Sequence, residues 1–223
     1  MSAVALVAGL VARGRMRDWA NRVKDSVLSR AAGREAIRRQ APMLAYSYYA
    51  SEAFTLLEQE GLPRVLFQVH PHPAVVRRIL EERARAVPAA SASLRRELEM
   101  SLPPEGFERL NGETRKATFI IAASSFTRRS LVEAGVEQDR IAVVPYGVAD
   151  EWLGRTPTSV PTGSGLRIAF VGTACERKGL AVLFEAVRRV GRDRATLVLC
   201  SRGYRDEILL GLGQDLNIEL HWN

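Results

Sequence analysis

Cysteine, histidine and lysine are scarce in this chain of 223 residues, which holds two cysteines, three histidines, and basic charge carried almost wholly by arginine. Cys175 and Cys200 are too few to staple a secreted fold, and they fit a reducing compartment, the cytoplasm. They read as small apolar packing residues ending adjacent strands. His70 and His72 are separated by one proline with no cysteine or carboxylate nearby to supply a third ligand, so no metal is expected. Long hydrophobic runs are also missing. The opening stretch Ser2 to Arg15 has an apolar core of about ten residues, too short to cross a bilayer. Its arginines, Arg13, Arg15 and Arg17, follow the apolar stretch, the reverse of a signal peptide, so it reads as a helix buried against a sheet. No Gly-x-Gly-x-x-Gly follows a strand and no Gly-Lys precedes Ser or Thr, which excludes the dinucleotide fingerprint and the P-loop.

The hydrophobic content of 47% is enough for a globular core, and the net charge of +7 with a pI near 10.0 implies attraction to something anionic. Nucleic acid, acidic lipid headgroups and phosphorylated ligands all qualify. The charge is dispersed, however, and a solvated surface accounts for most of it. Peripheral contact with the inner face of a membrane stays open on this count. For nucleic acid there is no zinc-finger spacing, aromatic RNA-binding signature or concentrated basic stripe.

Along the chain, hydrophobic periodicity predicts helices over Ser2–Arg39 with breaks at Gly14 and Gly33, and Trp19, Val23, Val27 and Leu28 on the apolar face. Strands follow at Met43–Tyr49, Val65–Val69, Thr118–Ala122 and Ile141–Val144. Between them, helices are predicted at Ser51–Glu60, Ala74–Ala86, Leu94–Leu98, Phe107–Arg115 and Phe126–Ala134, the last capped by Ser125. The alternation implies a parallel sheet with helices on both faces. A stretch rich in Gly, Pro, Ser and Thr, Trp152 to Gly165, reads as a linker. Beyond it come strands at Leu166–Val171, Ala195–Cys200 and Ile218–Trp222, with a short helix at Arg205–Leu210. The expected organisation is therefore a domain over 1–150, a linker over 151–165 and a second domain over 166–223. A second domain of three strands is small, and the first opens on helices, so both are expected to be incomplete parts of a larger protein.

The stretch with the clearest chemistry is Leu166 to Arg188. Its short apolar strand, expected to be buried on both faces, breaks at Gly172, and a helical pattern restarts after Lys178 with Leu180, Leu183, Phe184 and Val187 on one face. Arg177 and Lys178 lie between them, where open α/β sheets bind ligands and helix N-termini favour anions. Two cations there suit a diphosphate. A solvated turn carrying incidental basic residues is the other reading of such a pair.

These residues carry a resemblance. FVGTACERKGLAVLFEAVRRV, Phe170 to Val190, resembles the donor-domain opening of retaining glycosyltransferases of family four, which have the GT-B fold. ATFIIAASSFTRRSLVEAGVEQDRIAVVPYGV, Ala117 to Val148, resembles that family's run from the last acceptor-domain strand into the linker. The resemblance covers roughly Ala117 to Cys200, with Thr173 where the family often has Arg and Ala149 where it often has Asp. It implies α/β architecture with two Rossmann-like parallel-sheet lobes of GT-B type. It also implies transfer of a sugar from a nucleoside diphosphate sugar to an acceptor hydroxyl, in polysaccharide or glycolipid synthesis, with the nucleotide sugar as co-substrate and no cofactor. Gly172, Thr173, Arg177 and Lys178 would hold the donor diphosphate, the two cations doing the work of a metal.

The acceptor, a carbohydrate or a lipid-linked one, would meet His70 as the candidate catalytic residue, with His72 and Tyr48 walling an interdomain cleft that closes about the linker. The family's acceptor-side histidine falls at Tyr46-Ser47-Tyr48-Tyr49, which has none. Its pair of glutamates separated by seven residues belongs to the later donor domain. That spacing occurs here at Glu52 and Glu60, Glu97 and Glu105, and Glu105 and Glu113, all before the linker. The chain alone is therefore expected to be inactive. The rival reading is a non-catalytic basic α/β module that binds nucleic acid or another anionic partner.

Overall fold

In the computed structural model, the described residues are 23–154 and 165–223. The elements run in order as α1 (23–38), β1 (Met43–Tyr46), α2 (Ser51–Gln59), β2 (Arg64–Gln68), α3 (Pro73–Ala86), α4 (Ser91–Leu94), α5 (Leu98–Ser101), α6 (Pro104–Lys116), β3 (Phe119–Ala122), α7 (Ser125–Glu133) and β4 (Ile141–Val143). After the linker come β5 (Leu166–Val171), α8 (Leu180–Val190), β6 (Ala195–Ser201), α9 (Glu207–Gly211) and β7 (Ile218–Trp222). The chain divides into two compact units. One takes the described residues through Val75 with Pro103–Gly147, and the other takes Val76–Leu102 with Val148–Asn223. Val76–Leu102, counted with the first domain in the sequence, therefore groups with the second unit. The opening stretch Ser2 to Arg15 and most of the linker lie outside the described residues.

The first unit is an α/β lobe whose four strands are all parallel and pair in sequential order, with Tyr46 beside Phe67 and Phe67 beside Ile121. Its core gathers Ala45, Leu66, Ile120 and Ala122 from the sheet with Phe54, Leu57 and Leu131 from the helices. Burying each of the larger side chains contributes about 1.5–3 kcal/mol. The opposite face is not covered as expected: Leu44 and Tyr46 are exposed, and Tyr46, Phe67 and Tyr146 form a chain of ring contacts across it. Period-two alternation accounts for this, since only alternate residues of each strand meet the helices.

Several local expectations change. Helix α1 runs through Gly33 without a break, because a Cβ there would come within 2.9 Å of Ala53 Cα. The glycine lets two helices touch. Val23, Val27 and Leu28 are exposed, and Ser29, Ala36 and Ile37 face the lobe, Ser29 Oγ accepting from the Ala53 N–H. The first strand stops at Tyr46, three residues early. The cap of α7 is Ser124, whose hydroxyl accepts from the Thr127 N–H. In place of a helix over Leu94–Leu98 there is the break between two one-turn helices, α4 ending at Leu94 and α5 starting at Leu98.

The second unit has three parallel strands in the order β5-β6-β7. Central β6 alternates strictly, burying Ala195, Leu197 and Leu199 against Leu180, Phe184 and Val187 of α8 and Leu209 of α9. Strand β5 is not buried on both faces. It is an edge strand, with Val171 82% exposed, and a continuous apolar run cannot by itself tell an edge from a centre.

Candidate functional site

On the second lobe, β5 ends at Val171 and Gly172 turns the chain with φ +147°, its N–H donating to the Cys200 carbonyl at 3.1 Å. A Cβ at Gly172 would meet nothing within 4 Å, so backbone conformation, not packing, calls for glycine, and the space beside it is open. A 3-10 turn, Glu176–Lys178, then leads to Gly179, whose left-handed φ of +74° starts α8. Thr173 is exposed beside Gly172. Burial pushes the Cys175 thiol up, which keeps it protonated and unreactive.

The charges at this turn are mostly spoken for. The Glu176 carboxylate is fully buried, accepting from Arg83 Nε at 2.7 Å and from the Ala181 N–H at 2.9 Å, so it also caps α8. The Glu176 N–H donates to Ser93 Oγ at 3.1 Å. Arg177 donates to Glu97 at 3.0 Å and to the buried Glu99 at 2.9 Å. Of the two cations expected to share a diphosphate, Arg177 is thus already paired. Lys178 is exposed, and its ammonium has no partner among the described residues. The sequence offered no signal for Glu97, Glu99, Arg83 or Ser93 here, because the partners lie far apart in the chain and follow no periodicity.

On the first lobe, the C-terminal ends of neighbouring β1 and β2 bring Tyr48 and His70 together, their rings 5.6 Å apart and edge-on at 70°. Tyr48 has φ +79°, a conformation that costs a bulky residue about 1–3 kcal/mol and persists only where the surroundings enforce it. Glu113 enforces it: one carboxylate oxygen accepts from the Tyr48 N–H at 2.6 Å, and the other from the N–H groups of Ala50 at 2.9 Å and Ser51 at 3.1 Å. The carboxylate sits at the start of α2, where Ala50 supplies no side-chain cap. Arg109 braces the same loop, forking Glu52 at 2.8 and 2.6 Å and reaching the Tyr48 carbonyl. Burial pushes the Glu113 carboxyl up to about 7, against its backbone hydrogen bonds. A glutamate inside a helix, and an alanine where the next helix wanted a cap, were the only sequence hints.

His72 does not share the exposed position of His70. It is 6% exposed, its Nδ1 accepts from the Ala74 N–H at 3.2 Å, and its Nε2 lies 3.3 Å from Thr114 Oγ1. The first bond assigns the proton to Nε2, which donates to Thr114. Burial, with a smaller effect of Arg115, holds its pKa down at about 4. His72 is a neutral imidazole fastening α3 to α6 and has no nitrogen left to face a ligand. Among the described residues, no three His, Cys, Asp or Glu side chains are placed to hold a metal ion, and no helix is long and apolar enough to cross a membrane.

No protein-family model matches the chain, and none of the curated proteins does. Solved structures do. A UDP-forming α,α-trehalose-phosphate synthase from Burkholderia xenovorans matches with a TM-score of 0.50 and 16% identity, over 87% of this chain and 47% of that one. S. aureus MnaA, solved with UDP, matches at TM-score 0.46 and 11% identity, over 90% and 51%. Anabaena Alr3699/HepE, in complex with UDP and glucose, matches at 0.41 and 19%, over 81% and 61%. The chain spans about half the length of the first two. The synthase match carries the fold: two parallel-sheet α/β lobes of GT-B type.

Proposed function

We propose that this chain forms part of a glycosyltransferase that moves a sugar from a nucleoside diphosphate sugar to the hydroxyl of a carbohydrate or lipid-linked acceptor. The observation that carries the reading is the turn after β5, an open glycine followed by an exposed lysine at the entry to α8, in a fold shared with a UDP-forming synthase. In the reaction, the bond from the sugar's anomeric carbon to the diphosphate oxygen breaks, and the acceptor oxygen bonds to that carbon. The electron pair leaves on the diphosphate, which takes up the proton that the acceptor hydroxyl gives up. Lys178 is the group proposed to neutralise the leaving charge, with Gly172 and Thr173 presenting backbone and hydroxyl to the phosphates. Arg177 enters only by exchange, since a phosphate must first displace Glu97 or Glu99. On the first lobe, Tyr48 and exposed His70 are the proposed acceptor contacts, and His72 drops out of that role. Retention at the anomeric centre, membership of family four and a cytoplasmic site, in contact with the inner membrane face or free of it, belong to the same proposal.

Calorimetric titration of the full chain with UDP, GDP and ADP tests it. One of the three should bind, and Lys178→Ala should weaken that binding about tenfold or more, because a charge-assisted contact is worth about 1.5–3 kcal/mol. Arg192→Ala, an exposed cation elsewhere on the lobe, should leave it unchanged. Absence of binding by all three, or a Lys178→Ala variant that binds as the parent does, removes the reading.

A further inference from the structure

The turn that should receive a diphosphate is neutral overall. Arg83, Arg177 and Lys178 face Glu97, Glu99 and Glu176, three cations against three carboxylates, all but Lys178 engaged in the pairs described above. Thr173, next to the glycine, adds a hydroxyl and no charge. A nucleoside diphosphate carries negative charge on each phosphate, and one exposed ammonium is a poor match for it.

A second cation stands just past the end of the neighbouring strand. Residues at the C-terminal ends of β5, β6 and β7 line an open pocket of about 680 Å³, with Val171, Gly172, Cys200, Ser201, Arg202 and His221 in its walls. That volume lies within the roughly 300–1,000 Å³ usual for small-molecule sites. Arg202 is exposed at this cavity and has no hydrogen-bond or ion-pair partner among the described residues. Beside it, Ser201 is buried, and its hydroxyl accepts from the Ala174 N–H at 2.9 Å. The residue before Arg202 therefore ties the end of β6 to the turn after Gly172. Gly172, for its part, shares the cavity wall and leaves the place of a side chain empty.

From the shared cavity and the neutral balance at the turn, we infer that Arg202 is the second donor-binding cation, forking a phosphate of the nucleoside diphosphate beside Gly172. It supplies, from just beyond β6, the charge that Thr173, just beyond β5, does not supply. The fork also distinguishes it from Lys178, a point charge that follows either phosphate. This inference rests on the proposed donor site, and its test separates the two.

The full chain is titrated with the nucleoside diphosphate it binds, with inorganic pyrophosphate and with glucose 6-phosphate, as parent, Arg202→Ala, Arg202→Lys and Lys178→Ala. Melting curves confirm that each variant folds, which an exposed position favours. Arg202→Ala should weaken the nucleoside diphosphate and pyrophosphate alike by about ten- to a hundredfold, and Arg202→Lys should recover only part, because an ammonium cannot fork. If Lys178→Ala weakens binding and Arg202→Ala does not, the donor site stands and the role of Arg202 is overturned. Loss of nucleotide affinity with pyrophosphate untouched overturns it too, since the contact would then be with the nucleoside. So does a loss confined to glucose 6-phosphate, which would place a phosphorylated sugar, not the donor, at Arg202. No binding of any diphosphate by the parent overturns both.

Discussion

Glu113 and His72 lie in one lobe and take up protons in opposite senses on folding. The Glu113 carboxyl rises from 4.5 to about 7 on burial, so between those values the folded chain holds the proton more tightly, and stability falls as pH rises through the window. The His72 imidazole falls from 6.5 to about 4, so the unfolded chain holds that proton, and stability rises with pH between about 4 and 6.5. At 1.36 kcal/mol per unit, each effect amounts to about 3 kcal/mol. They cancel across most of the shared range. Urea unfolding of the parent should therefore vary little between about pH 4.5 and 6.5, while His72→Gln should lose stability as pH rises there and Glu113→Gln should gain it. Parallel profiles for the parent and both variants would show that neither group titrates as its burial implies. The same residues limit what the sequence could convey about the acceptor side. Tyr48 and His70 meet because both end adjacent strands, which the strand pattern anticipated. The burial of His72 and the backbone bonds of Glu113 depend on packing between helices that are remote in sequence.

At the scale of elements, the second lobe is held by a stretch that its own strands do not announce. Helices α4 and α5 bring Ser93, Glu97 and Glu99 to the 3-10 turn before α8, and α3 brings Arg83. Removing Arg177 takes an ion-pair partner from Glu99, which is 1% exposed, and breaking a buried pair costs about 3–5 kcal/mol. Arg177→Ala should accordingly lower the unfolding free energy by that amount, and replacing the pair together, as Arg177→Met with Glu99→Leu, should restore most of it. Lys178→Ala should stay within about 0.5 kcal/mol of the parent. Denaturant unfolding of the three variants separates a cation that builds the turn from one that serves a ligand; equal losses for Arg177→Ala and Lys178→Ala would refute the division. What was legible follows from periodicity. Every strand from β1 to β7 was anticipated within a few residues, because alternation and short β-branched runs are local. So was the strand, glycine, turn, helix order around Gly172. Burial was less legible: Leu166–Val171 reads as central and lies at an edge, and Gly33 reads as a break and is a contact point. In both cases the deciding fact is a neighbour that the local pattern does not contain.

For the molecule as a whole, a net charge of +7 invites comparison with nucleic-acid-binding modules, and the proposed nucleotide-sugar function predicts only weak binding of that kind. Several arginines are paired where they stand: Arg167 forks Glu219 at 2.8 Å, Arg188 pairs with Glu185 and Asp215, Arg109 with Glu52, and Arg96 with Asp206. A protein that tracks a phosphate backbone needs several unpaired cations on one surface, each releasing a counterion, and the salt sensitivity of binding counts them. Each such pair removes a cation from any surface of that kind. Duplex DNA should therefore bind no more tightly than the non-specific range of about 10⁻⁴–10⁻⁶ M, and raising the salt from about 50 to 200 mM should weaken it by less than the thousandfold or steeper change seen when many phosphates are engaged. Nucleoside diphosphate binding should weaken far less over the same range, because the contacts proposed for Lys178 and Arg202 are to one small ligand. Fluorescence anisotropy with labelled duplex and calorimetry with UDP, at both salt concentrations, make the comparison. A tight, steeply salt-dependent DNA complex beside absent UDP binding would reverse the assignment in favour of the interaction module.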